Sequence, residues 1–401
     1  MTRILWVAEA VTLAHVARPL AALRHVDPAR WQSVIACDPR ARRHLQGIDA
    51  EYRPLPAIEP ARFLAALRRG APVYDLATLR GYVEAELRLF RDTRPDLVIG
   101  DFRLSLGISA RIARIPYATL ASACWSPQYE PPSWPVPALS LTRWLPLPLA
   151  QTLFRNARCH AFVRHAKPMN RLRREFGLPT IDGDVRNVYT DADYVLYTDV
   201  PELFPLEGLP THARFVGPAL WEPPIASAWS WPEANESIPR VYVTLGSSGD
   251  AALLPRIVET LGALRVSALV STAARRDRLP VFPNVHVADL LPGVAVSASA
   301  SLVVCNGGTL SCYQALSAGV PVVAVASNLE QFLTSQAIER TGAAVCLRAD
   351  RFDPRRFRDT VTRAIEDRPL RDNATKIAGW CRTCSLDRTI PAFLQQLGAR
   401  A

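Results

Sequence analysis

Lysine is nearly missing from this sequence. Lys167 and Lys376 are the only two in 401 residues, although Lys and Arg together number 47. The net charge of +10 is therefore carried by arginine. That bias fits a high-GC coding preference, and it also fits attraction to nucleotide phosphates or an acidic membrane surface. No basic run is interleaved with aromatic residues, which excludes a nucleic-acid-binding surface. No stretch of about 20 apolar residues occurs, which excludes a membrane-spanning helix. Of the eight cysteines only Cys381 and Cys384 form a CxxC, and no second pair or spaced histidines accompany them. A zinc site is excluded on that ground, and no metal is expected. Cys305, Cys312 and Cys346 lie in apolar runs, where cysteine acts as a small core residue. The first residues, MTRILWVAEAVTLAH, have no small-residue cleavage site and suit a buried strand better than a signal peptide. Reduced thiols in a cytoplasmic protein are expected.

The remaining composition is that of a folded globular chain, with 49% hydrophobic and 21% charged residues. Its length favours two domains. Ile4 to Val7 reads as a buried parallel strand, followed by a helix from His15 to Arg24 and a strand from Ser33 to Cys37. Pro95 to Gly100 reads as a further strand ending at Asp101, with a helix over 104–113 and a strand over 117–119. Residues 125–150 place Trp125, Trp134 and Trp144 among prolines and are expected to form a long ordered loop or short helices. An arginine-rich helical pattern covers 151–176. Gly217, Pro218, Pro223, Pro224, Pro232 and Pro239 mark a linker over 217–239. A second series of alternating strands and helices begins at Val241. The fold class is thus α/β, two doubly wound domains in series, with no short-period repeat. The domains run over 1–216 and 240–380, and a C-terminal helix over 381–401 is expected to pack back on the first.

The strongest chemical signal is SLVVCNGGTLSCYQALSAGVPVVAVASNLEQFLTSQ, residues 301–336. A buried strand runs into Asn306-Gly307-Gly308-Thr309, where a helix begins. Paired glycines allow close backbone approach, and a helix start offers free N–H groups at a positive dipole end. This is a phosphate site in outline. Gly246-Ser247-Ser248 closes another strand, and two such turns in one parallel sheet can hold a diphosphate from both sides. In the first half, His15 opens a helix after the first strand and Asp101 ends a later strand. Adjacent carboxyl ends could join them as base and orienting carboxylate. A lone histidine is more often structural, and an aspartate after a strand is often only a helix cap.

The segment resembles the donor-binding signature of the UDP-glycosyltransferase family of GT-B fold, in its bacterial natural-product branch. Asn306 to Leu316, Gly319-Val320-Pro321 and Glu330-Gln331 follow its order. Asn170-Arg171-Leu172-Arg173, Pro201-Glu202-Leu203-Phe204, Val216-Gly217-Pro218 and Pro283-Asn284-Val285 with Leu291-Pro292 extend the match over most of the chain. The resemblance implies two Rossmann-like domains facing a cleft, acceptor in the first and nucleotide sugar in the second. Gly246, Ser247, Ser248, Asn306, Gly307, Gly308, Thr309 and Ser311 would hold the diphosphate. Gln314 would reach the ribose, Glu330 and Gln331 the sugar hydroxyls, and a loop with Val287 and Leu291 the base. Trp125, Trp134 and Trp144 would line the acceptor. The chain departs from the signature at Asn306 (histidine in the family), Gln314 (glutamate) and Glu330 (aspartate).

The resemblance further implies a metal-independent, inverting hexosyltransferase needing no cofactor beyond its donor. In it His15, polarised by Asp101, deprotonates a small-molecule or lipid-like acceptor, and an α-linked donor gives a β-glycoside. A UDP-sugar is expected slightly ahead of a dTDP-sugar. The rival reading is a catalytically inactive homologue serving as an activating partner or binding module, motivated by Asn306 and Gln314; a nucleotide-sugar epimerase of similar fold ranks last. A membrane contact through Trp134, Trp144, Leu145 and the arginines of 155–171 is the less favoured reading of that region, because its prolines should break a long amphipathic face.

Overall fold

In a computed structural model, residues 2–224, 229–232, 235, 237–274 and 279–398 are described. The chain divides into two compact units. One comprises 1–133, 148–219 and 384–401, and the other 134–147 and 220–383.

The first unit is built on β1 (Thr2–Ala8), β2 (Trp31–Cys37), β3 (Glu51–Pro54), β4 (Leu97–Asp101), β5 (Tyr117–Ala121), β6 (Tyr194–Tyr197) and β7 (Ala213–Phe215). Its helices are α1 (Leu13–Leu23), α2 (Pro60–Arg69), α3 (Leu76–Thr93), α4 (Leu106–Ala113), α5 (Leu147–Glu175) and α6 (Val185–Tyr189). The strands form one parallel sheet in the order β3-β2-β1-β4-β5-β6-β7. β1 and β4 are buried along nearly their whole length, as central strands covered on both faces must be.

The second unit carries β8 (Arg240–Thr244), β9 (Ser267–Ser271), β10 (Val285–Ala288), β11 (Leu302–Cys305), β12 (Val322–Ala326) and β13 (Ala344–Arg348). Between and after them come α7 (Leu254–Gly262), α8 (Gly293–Ala298), α9 (Thr309–Ser317), α10 (Leu329–Arg340), α11 (Pro354–Glu366) and α12 (Arg368–Thr383). The parallel order is β10-β9-β8-β11-β12-β13. Both sheets therefore reverse direction between their first and fourth strands, the crevice position of a doubly wound fold.

Two features differ from the sequence reading. Residues 134–147, expected in the first domain, belong to the second unit: Ala138 N–H donates to Ser327 O at 2.8 Å, and Arg348 Nη1 to Val136 O at 2.7 Å. A proline-rich stretch cannot satisfy its own carbonyls, so it takes donors from whichever sheet offers them. The linker is not a free tether at its start. Trp221 is buried, and Glu222 accepts from Ala295 N–H at 2.7 Å. Part of the rest of 217–239 lies outside the described residues. The C-terminal helix, α13 (Leu386–Gly398), belongs to the first unit, where Thr389 Oγ1 donates to Val216 O at 2.7 Å. Among the described residues no helix is long and apolar enough to cross a membrane.

Candidate active site

In the first unit, Ala8 of β1 lies opposite Asp101 of β4, so the loop into α1 and the end of β4 meet at the switch point. There His15 Nδ1 is 2.7 Å from Asp101 Oδ1, with both residues buried. Arg18, one turn further along α1, places Nε 2.7 Å from Asp101 Oδ2 and donates from Nη2 to Oδ1 at 3.2 Å. The same Nη2 is 2.7 Å from His15 Nδ1. A ring nitrogen cannot both donate to a carboxylate and accept from a guanidinium. When Nδ1–H donates to Asp101, the Nε2 lone pair is the base. When Nδ1 accepts from Arg18, it is not.

Phe102 follows Asp101 with a φ of +55°, in the left-handed region that bulky residues rarely adopt. The turn lays its ring on His15, centroids 4.3 Å apart. Phe102 in turn stacks on Tyr189 at 5.5 Å, and Tyr189 meets Trp125 at 4.8 Å. Of the three tryptophans expected to line an acceptor, only Trp125 belongs to this aromatic series. Trp134 and Trp144 lie in the other unit, the first buried and the second 86% exposed.

Beneath this pair lies a buried charge cluster. Arg103 donates to Glu9 Oε2 at 2.8 Å and to Glu86 Oε1 at 2.6 Å. Tyr74 and Tyr82 hydroxyls donate to Glu9 at 3.1 and 2.8 Å, and Ser105 and Ser109 to Glu86 at 2.5 and 2.7 Å. Burial pushes Glu86 above the usual carboxylate range, opposed by Arg103 and the two serines. Burial alone would lower Arg103, but Glu9 and Glu86 raise it above its ordinary value.

In the second unit, β8 and β11 are neighbours, with Thr244 opposite Cys305, so the two glycine turns emerge side by side. Asn306 Nδ2 donates to Ser248 Oγ at 3.2 Å and ties them together. Asn306 Oδ1 accepts from Gly308 N–H at 3.0 Å. Gly307 has a φ of +77°, and a Cβ there would collide with Ser335 Oγ. Gly308 is the N-cap of α9 and offers no side-chain cap. The first backward bond is Cys312 N–H to Gly308 O at 3.0 Å, so the amides of Thr309, Leu310 and Ser311 precede the helical ladder. Uncapped amides at a positive dipole end can take an anion's oxygens.

The other expected donor contacts fall differently. Gln314 is buried under Gly293, and its Nε2 donates to Trp221 O at 2.8 Å, which leaves the amide oxygen for a ligand. Gln331 is buried in a capping box with Asn328. Its Oε1 accepts from Ser327 N–H at 2.9 Å and Oγ at 2.8 Å, and its Nε2 donates to Ser248 Oγ at 3.3 Å. The side chain expected to reach a sugar holds a helix start and the Ser248 turn. Glu330, half-buried in the first turn of α10, is the acid that remains beside it. Val287, expected in a loop, lies on the edge strand β10 and is 37% exposed, whereas Leu291 is buried. The first residues of an edge strand carry little apolar signal, which is why 285–288 reads as a loop. Among the described residues no group of three His, Cys, Asp or Glu could hold a metal, and all eight cysteines are free.

Sequence reading missed Arg18 and the cluster of Glu9, Glu86 and Arg103. Arg18 had a signal, since positions three apart share a helix face. Glu86 had none, because only the packing of α3 brings it to Arg103.

Residues 256–382 match the family model described as "Erythromycin biosynthesis protein CIII-like, C-terminal domain". The chain is 42% identical over 376 residues to the PGL/p-HBAD biosynthesis rhamnosyltransferase of Mycobacterium bovis (strain BCG / Pasteur 1173P2), covering 94% of this chain and 83% of the relative. It is 40% identical over 260 residues to an inactive PGL/p-HBAD biosynthesis glycosyltransferase of the same strain, covering 65% and 71%. Among solved structures, the glycotransferase of kitacinnamycin aligns with a TM-score of 0.73 at 20% identity, covering 98% of each chain. Spinosyn rhamnosyltransferase SpnG complexed with thymidine diphosphate aligns at 0.69 and 17%, covering 99% of this chain and 100% of that one. These neighbours share the GT-B fold, two parallel-sheet α/β domains.

Proposed function

We propose, for a chain that belongs to the family of the PGL/p-HBAD biosynthesis glycosyltransferases, an inverting transfer of a sugar from a nucleoside diphosphate to an acceptor hydroxyl, with His15 as general base. The observation that carries this reading is the buried contact of 2.7 Å between His15 Nδ1 and Asp101 Oδ1. Nδ1–H donates a hydrogen bond to Asp101, which leaves the Nε2 lone pair to take the acceptor's proton. The acceptor oxygen then bonds to the anomeric carbon. The bond from that carbon to the β-phosphate oxygen breaks, and its electron pair leaves with the diphosphate. The developing imidazolium is stabilised by Asp101, its buried partner at 2.7 Å. The leaving diphosphate is stabilised by the amides at the start of α9 and by the Asn306 and Ser248 turns.

The aromatic series of His15, Phe102, Tyr189 and Trp125 supports an acceptor with a planar, apolar part beside its hydroxyl. For the donor, two considerations move the nucleotide from UDP, slightly ahead on sequence alone, to thymidine diphosphate. Gln314 has spent one of its two amide N–H groups on Trp221 O and carries no charge, so it bonds two ribose hydroxyls less strongly than a carboxylate would and suits a 2′-deoxyribose better than a ribose. SpnG was solved with thymidine diphosphate. A rhamnosyl group is favoured by the name of the relative at 42% identity.

The second reading, a catalytically inactive binding module, is favoured by the match to a relative named inactive and by the commitment of Gln331 to a helix cap. One assay separates the two. Donor turnover, with and without acceptor, is measured on the wild type and on His15→Ala, alongside thymidine diphosphate affinity. The active reading expects a loss of about 10²–10⁴-fold in transfer with affinity unchanged. No turnover by the wild type under any donor makes the chain a binding module. Full activity in His15→Ala removes His15 from the mechanism.

A further inference from the structure

The proline-rich approach to α5 does not break the helix. Pro148 stands in its first turn, where a proline is tolerated, and the helix runs unbroken for 29 residues with Pro168 inside it. Phe162, Ala166, Met169 and Leu172 face inward, but before them only Ala150 is buried. The opposite face is continuous. Residues 149, 153, 156, 160, 164, 167, 171 and 174 recur at spacings of three and four and so share one side of the helix.

That side is graded. Leu149 and Leu153 are 48% and 49% exposed near the start. Arg164, Lys167, Arg171 and Arg174 follow, all exposed. None of these four takes part in an ion pair among the described residues, although most other paired arginines here have a carboxylate within 3 Å. The helix holds seven Lys or Arg residues against the single Glu175, more than half of the chain's net +10.

We infer that this face of α5 docks on an anionic phospholipid bilayer. Leucines at the front of the helix fit the boundary between headgroups and acyl chains, and uncompensated cations behind them fit lipid phosphates. A nucleic acid would use the cations but not the leucines, and these eight positions hold no Phe, Tyr or Trp on which a base could stack. A second copy of the chain would bring the same charges against themselves. The docking surface is independent of the base and donor site, so it stands or falls without them.

The test is co-sedimentation of the full chain with vesicles of phosphatidylcholine containing phosphatidylglycerol, against vesicles of phosphatidylcholine alone. The wild type should partition onto the anionic vesicles at least about tenfold better and lose that preference as salt approaches about 0.5 M. Arg164→Glu/Lys167→Glu/Arg171→Glu should fall to the level of neutral vesicles. Leu149→Asp/Leu153→Asp should weaken binding at least about tenfold, because the replaced side chains no longer insert. Both variants should keep the wild-type melting temperature, since every altered side chain is exposed; Arg164→Gln/Lys167→Gln/Arg171→Gln serves if the charge reversals do not fold. The inference is overturned by no preference for anionic vesicles, by unchanged binding of the folded variants, by tighter binding to duplex DNA than to vesicles, or by a dimer in solution that Leu149→Asp/Leu153→Asp dissociates.

Discussion

Eleven Asp, Glu, Arg and His residues are buried in the first unit, and among the described residues none is buried as a whole residue in the second, although the two sheets share one strand order. Asp350 comes nearest to an exception, half-buried and paired with Arg348 at 3.0 Å. At the switch point of the first sheet stand His15, Asp101, Arg18 and the Glu9–Arg103–Glu86 cluster. At that of the second stand Ser248, Asn306, two glycines and a helix start. On the proposed reading, the difference follows from when each charge arrives. A general base must be present and oriented before any ligand, so its counter-charges are built into the core and each needs partners there. A diphosphate brings its own charge, and backbone amides that receive it can be hydrated until it comes.

The largest test of this contrast is structural. Arg103→Met leaves Glu9 and Glu86 buried without their shared cation and should cost about 3–5 kcal/mol, read from the denaturant midpoint. In the second unit, Arg358→Met removes an ion pair to Asp359 in which both side chains are more than half exposed, and should cost less than about 1 kcal/mol. Equal costs would erase the contrast.

A second test uses pH. Burial, with help from Arg43, lowers His44 of the first unit from 6.5 to about 4. Between those values the unfolded chain binds a proton that the folded chain refuses. Stability present above pH 6.5 is therefore lost as pH falls toward 4, by an amount of order 3 kcal/mol. His44→Gln should flatten that part of the stability curve. An unchanged slope would assign the acid sensitivity elsewhere.

The smallest effect belongs to the neutral site. Gly308 has an ordinary φ, and a Cβ there meets only Asn306 Oδ1 at 3.1 Å. Gly308→Val should leave the melting temperature within a few degrees while weakening thymidine diphosphate by at least tenfold, about 1.4 kcal/mol, in calorimetry. Undiminished affinity would move the phosphate site away from the start of α9.

How much was legible in the sequence depended on whether a signal was local. Leu302–Cys305 is a continuous apolar run closed by paired glycines, and the strand and the helix after it stand where that pattern puts them. β3 is exposed along most of its length and has no such run, so it reads as loop. Asp75 capping α3 through Thr78 N–H at 2.8 Å was readable and was passed over. Gln331 is the instructive case. Asn328 and Gln331, three apart before an apolar stretch, spell a capping box in plain sequence. The family resemblance implies a sugar contact for the same side chain, which here holds the start of α10.

The sequence by itself determined the two series of alternating strands and helices, the glycine turns at 246 and 307–308, and the presence of one histidine and one aspartate at strand ends. Each of these is written in neighbouring residues, through apolar runs, backbone freedom and helix periodicity. Only the tertiary structure decided that Arg18 shares Asp101 with His15, that Glu86 meets Arg103, that residues 134–147 join the second sheet, and that the outer face of α5 is left uncovered. Those outcomes join residues tens to hundreds of positions apart, or depend on what packs against a face. Burial and hydrogen-bond satisfaction select them over the whole chain, and no local pattern carries that information.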